Sequence, residues 1–108
     1  MNAEQSVEIF KYSDAAAANN GAEIVKVIDN ADREGKYGFL VDMDRIDFIY
    51  SIGIRAVISG YKAAEDRDLN FGLFNVSEGV RKALALVNLS TKIKVYESVD
   101  HFMDEIEI

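Results

Sequence analysis

Apolar positions along this chain switch between alternating and helical spacing, and the switches mark out its elements. Val7, Ile9 and Lys11 alternate with Glu8, Phe10 and Tyr12, a stretch rich in β-branched and aromatic residues that predicts a short strand. Ser13 and Asp14 can cap a helix, but the alanine run behind them is broken by Asn19, Asn20 and Gly21. Helical spacing proper starts near Ala22: Ile24, Val27, Ile28 and Ala31 fall on one face, and Gly35 supplies a left-handed terminus. Phe39, Leu40 and Val41, with Met43, form an apolar run after Gly38 that suits a central strand buried on both sides. A polar turn at Asp44 and Arg45 leads through Ile46 to Tyr50 and on to Ser51. There Ile54, Val57, Ile58 and Tyr61 take up helical spacing, with Arg55, Lys62 and Glu65 on the wet side.

Leu69, Phe71, Leu73, Phe74 and Val76 predict the third strand, and Ser77 is placed to cap a helix carrying Val80, Leu84 and Val87 and ending around Asn88. Ile93 and Val95 alternate with Lys94 and Tyr96 in a last short strand. Ser98 then precedes Val99, Phe102, Met103 and Ile106, a terminal helix over the core. Strand and helix alternate throughout. The pattern predicts an α/β fold with a four- to five-stranded, mostly parallel sheet, about four helices and right-handed crossovers. No repeat or linker divides residues 1–108, which are expected to form one domain.

Composition narrows the function. The 12 basic and 19 acidic residues give a net charge of −7, with no basic block to follow a phosphate backbone, so nucleic acid and anionic membrane are poor partners. With no cysteine there is no disulfide, thiolate catalysis or cysteine-ligated zinc, and a reducing cytoplasm fits. The first residues lack the basic and then apolar order of a signal peptide. No apolar run approaches the roughly 18 residues of a membrane span, so a cytoplasmic location is expected.

Candidate chemistry is sparse. His101 is the only histidine and stands on the terminal helix, where it reads as an ordinary surface or boundary residue. A hydrolase built on Ser51 and His101 would lack an evident third partner. Gly35 and Gly38 flank the start of a strand, so no phosphate-cradling loop is present and no cofactor is expected. Asp42, Asp44 and Asp47 form the densest acidic group, but their spacing does not match a calcium loop; they read as solvated turn residues, and no metal is expected. Ser51 carries more information. It stands where a strand hands over to a helix, either as a plain N-cap or as a switch whose phosphorylation would place negative charge at a helix end that tolerates anions. Gly53 beside it either admits another backbone or serves tight packing.

The stretch Val41-Asp42-Met43, Ile46-Asp47-Phe48-Ile49, Tyr50-Ser51-Ile52-Gly53-Ile54 resembles the signature of STAS domains, in which a Leu-Asp-Leu strand runs through an apolar turn into Asp-Ser-Ser-Gly-Leu or Asp-Ser-Thr-Gly-Leu. Asn75-Val76-Ser77, Val80 to Leu84, Asn88-Leu89 and Val95 to Ser98 are similar to the C-terminal half of that family, whereas the first 35 residues agree only in outline. Here Tyr50 replaces the motif's aspartate and Ile52 its second hydroxyl residue, while Tyr12-Ser13-Asp14 stands for the family's Gly-x-Leu-Asp element. The resemblance, to the anti-sigma factor antagonists in particular, implies a non-catalytic module. Such a module binds an anti-sigma factor that is also a serine kinase and is released when that kinase phosphorylates Ser51. It further implies a partner surface formed by Asp14, Tyr50, Ser51, Ile52, Gly53 and Arg55. The alternative is a constitutive STAS adaptor or accessory subunit of the stressosome or lipid-transport type, in which Tyr50 and Ile52 form an apolar patch and Ser51 merely caps the helix. A homodimer is compatible with either.

Overall fold

The computed structural model describes residues 6–106. Four strands, β1 (Val7–Lys11), β2 (Gly38–Asp42), β3 (Asn70–Phe74) and β4 (Lys94–Tyr96), alternate with four helices, α1 (Ala18–Arg33), α2 (Ser51–Asp66), α3 (Glu78–Leu86) and α4 (Val99–Glu105). The sheet is parallel throughout, in the order β1-β2-β3-β4, with Ile9 opposite Leu40, Leu40 opposite Gly72 and Gly72 opposite Lys94. The four- to five-stranded expectation therefore resolves to four strands among the described residues.

Alternation along the strands sorts side chains between two unequal layers. Phe10, Phe39, Val41, Phe71 and Leu73 face a large core completed by Ile24 and Ile28 of α1, Val57 of α2, and Val80 and Leu84 of α3. Three phenylalanine rings stack across neighbouring strands, with centroids 5.9 and 6.0 Å apart. Val7, Leu40 and Tyr96 face the other way, where α4 lays Phe102 over them. Phe102 is fully buried and is the main anchor of that seven-residue helix, contributing roughly 1.5–3 kcal/mol.

The helix ends follow from single residues. After α1, α2 and α3 the chain turns left-handed at Gly35, Asp68 and Asn88, with φ of 76°, 56° and 59°. In each case the next N–H reaches back to a carbonyl of the last turn: Lys36 to Ala31, Leu69 to Ala64 and Leu89 to Leu84. At the start of α1, Asn19, Asn20 and Gly21 are also left-handed, so the regular helix does begin near Ala22. Gly21 has to be glycine on packing grounds too, because a Cβ there would lie 2.8 Å from the Ala56 Cα.

That close approach shifts the centre of the expected core face of α2, although Ile54 and Tyr61 do pack against the core half-buried. Of Ile54, Val57, Ile58 and Tyr61 only Val57 is fully buried. The buried stripe is Gly53, Ala56, Val57, Gly60, Ala63 and Ala64, small residues that let α1 and α2 pack closely. Val87 is likewise 46% exposed rather than core, because α3 ends one residue before it.

Candidate functional site

The carboxyl ends of β1, β2 and β3 lie side by side and are tied together by their loops. Tyr12 N–H donates to the Asp42 carbonyl at 2.9 Å, and Met43 N–H to that of Phe74 at 3.0 Å. Asp42 Oδ1 accepts from the Asp44 N–H and from Asn75 Nδ2, both at 2.9 Å, so this carboxylate is a clamp between two loops. Among the described residues no group of three or more acidic or histidine side chains is placed to hold a metal ion.

The loop from Met43 to Tyr50 is pinned at both ends. Met43 and Ile49 are buried, and the Asp47 carbonyl accepts a hydrogen bond from Ser77 Oγ at 3.1 Å. With Ile49 turned inward, its neighbours turn outward: Phe48 is 47% and Tyr50 70% exposed, their rings meeting edge to face at 4.9 Å.

Ser51 is exposed and is the first residue of α2; the cap position belongs to Tyr50, whose backbone is extended and whose side chain makes no capping bond. The N-cap reading of Ser51 is thereby corrected. One residue too far along to cap, its hydroxyl has no hydrogen-bond partner among the described residues. The first backbone bond of the helix runs from Ile54 N–H to the Tyr50 carbonyl at 2.9 Å, so the amides before it form an uncapped positive helix end. Ile52 follows, 55% exposed.

Gly53 turns the opposite way. It is buried, and a Cβ there would collide with the Tyr12 hydroxyl and lie 2.7 Å from Ile49 Cγ1, so the packing role is the one the structure gives it. Tyr12 is almost wholly buried. Burial first, and the Asp14 carboxylate second, push its phenol pKa above the ordinary value. A cleft of about 350 Å³ opens here, lined by Tyr12, Asp14, Ala17, Tyr50, Ile52 and Gly53. Four of the six residues singled out in the sequence, Asp14, Tyr50, Ile52 and Gly53, thus share one cleft although Asp14 comes from another loop. Ser51 lies between two of its lining residues, and Arg55 is exposed one turn further along α2.

Tyr12 and Phe48 belong to this surface and escaped sequence reasoning. The signal that could have found Phe48 is its alternation with an anchored Ile49. His101 is not part of it: it sits on α4, across the sheet from α2, where its Nδ1 accepts from Glu97 N–H at 3.1 Å and its Nε2 lies 3.7 Å from Glu105.

The family model for the STAS domain matches residues 2–102. This chain belongs to the STAS family. Solved STAS-fold structures agree. A Thermotoga maritima protein, described as a candidate anti-sigma factor antagonist, superposes in its solution structure with a TM-score of 0.79 at 20% identity, covering 94% of this chain and 82% of that one. A sulfate transporter family protein from Wolinella succinogenes gives 0.74 at 19% identity, over 94% and 84% of the two chains. A chain from the stressosome, a signal integration and transduction hub, gives 0.72 at 12% identity, over 99% and 94%. No curated protein matches. STAS domains are typically regulatory or binding domains rather than enzymes. No helix among the described residues is long and apolar enough to cross a membrane.

Proposed function

We propose that this STAS domain, as one unit, is an anti-sigma factor antagonist whose docking surface is centred on Ser51 and which phosphorylation of Ser51 switches off. The observation that carries the reading is the exposed, uncapping Ser51 hydroxyl between two outward-facing side chains, Tyr50 and Ile52. A hydroxyl engaged in the fold could not be modified without cost; this one can. A kinase-type anti-sigma factor docked over Tyr50, Ser51, Ile52, Arg55 and Asp14 would transfer the γ-phosphoryl group of ATP to Ser51 Oγ, releasing ADP and a proton. The product carries about −1.5 to −2 charges at a helix start with uncapped amides, so the fold accommodates it and the docked surface does not. Gly53 contributes from beneath, by letting Tyr12 support the cleft.

Incubation with the cognate kinase and ATP followed by intact-mass measurement tests the reading. It predicts a gain of about 80 daltons that Ser51→Ala abolishes; an unchanged mass, or a gain that persists in the variant, contradicts it. One observation favours a second reading, a constitutive adaptor: Phe48, Tyr50 and Ile52 are exposed together and give an apolar patch without any charge change. Such an adaptor would bind its partner equally well with Ser51 acidic.

A further inference from the structure

A second cavity, of about 480 Å³, is lined by Arg81 and Leu84 of α3, by Lys94 and Tyr96 of β4 and by His101 and Glu105 of α4. Its position follows from the topology. The α3 helix packs on one face of the sheet and α4 on the other, so a hollow that touches both can only run around the sheet's edge. That edge is β4, which among the described residues pairs with β3 alone and leaves the other side of its backbone without a strand neighbour. The hollow is therefore a groove along a bare strand, walled by one helix on each side.

Its chemistry is mixed in a particular way. Leu84, Ile93 and Tyr96 are buried and give an apolar floor, with the His101 ring edge-on to Tyr96 at 5.3 Å. Arg81 and Lys94 are exposed on its walls and form no ion pair among the described residues; Glu105, 3.7 Å from His101 Nε2, is the one carboxylate on the lining. The lining therefore carries two cations to one carboxylate, on a chain whose net charge is −7.

We propose that this groove docks an extended, acidic segment of a partner protein, which adds to the sheet beside β4 as a further strand. Main-chain hydrogen bonds would hold the segment, and its side chains would alternate between the two walls, apolar groups entering the floor and carboxylates meeting Arg81 on the α3 side and Lys94 on the α4 side. A second copy of this chain is the poorer occupant, since pairing two β4 edges crowds both copies of Arg81 and Lys94 together. The three-residue length of β4 and its lysine also discourage indiscriminate edge pairing, so the same residues that repel a copy select an acidic partner.

The test titrates the full chain with a short capped peptide of repeated Val-Val-Glu-Glu, which presents both residue types to each wall, followed by backbone amide NMR. Shifts concentrated on Lys94 to Tyr96 are expected, with affinity falling about tenfold or more for Arg81→Glu combined with Lys94→Glu, and binding lost when glutamine replaces glutamate or a central proline interrupts the peptide. Circular dichroism of the charge-reversed variant confirms that it folds. Absence of binding, equal binding of the neutral peptide, shifts centred on the start of α2, or concentration-dependent self-association that protects the β4 amides would each overturn the proposal.

Discussion

Ser77 and Ser51 both stand where a strand has ended and a helix begins, yet the fold uses them in opposite ways. Ser77 occupies the cap position of α3, where its Oγ accepts from Val80 N–H at 3.2 Å and donates to the Asp47 carbonyl at 3.1 Å. Both capacities of that hydroxyl are spent on structure, one of them on holding the loop that leads to α2. Ser51 is displaced by one residue into its helix, the cap position falls to Tyr50, and the hydroxyl is left over. Ser98 repeats the first pattern, accepting from His101 N–H at 3.0 Å. A serine before a helix is therefore structural in two of these places and available in the third, and the difference comes from a register shift of one position.

The largest effect that would sharpen this contrast lies beneath Ser51. Gly53→Ala must displace Tyr12 and Ile49, and about 1–3 kcal/mol of destabilisation is expected in urea unfolding. An unchanged midpoint would mean that the start of α2 is loosely seated. Next comes Ser77→Ala, which removes a cap and leaves the Asp47 carbonyl without its donor; a loss of about 1–2 kcal/mol is expected by the same measurement. Ser77→Asp, which restores the cap but not the donor, should recover part of it. Smaller again is Ser51→Asp, whose negative charge at the helix start should stabilise by about 0.3–1 kcal/mol at low salt and lose that gain as salt is added. Smallest is Ser51→Ala, expected within about 0.5 kcal/mol of the wild type because no bond is lost. A cost near that of Ser77→Ala would break the comparison, since it would reveal a structural bond at Ser51.

Much of this was legible in the sequence, for identifiable reasons. Apolar runs such as Phe39 to Val41 and capping serines such as Ser77 and Ser98 act locally, so periodicity and cap chemistry located the strands and most helix ends. The core face of α2 was less legible. Helical spacing favoured its large residues, while tertiary packing buried Gly53, Ala56 and Gly60, because α1 approaches closely enough that only small side chains fit. At the candidate site, the motif drew attention to Tyr50, Ser51, Ile52 and Gly53. The cap assignment missed by one residue because an extended Tyr50 backbone can occupy a cap position without a capping side chain. Tyr12 was illegible as a site residue, since its contact with Gly53 spans some forty positions of chain and no local pattern encodes it. The cavity beside β4 depends on helices from both faces meeting a strand edge, which is visible only once the sheet order is known.

The account turns on whether a partner reads the charge at Ser51. Titrating the kinase-type anti-sigma factor with wild type, Ser51→Ala and Ser51→Asp in parallel, with the thermal midpoint of each recorded, tests this directly. The account predicts that Ser51→Asp binds at least about tenfold more weakly than the other two while remaining no less stable. Equal affinity for all three, or weakened binding that merely tracks lost stability, would contradict it.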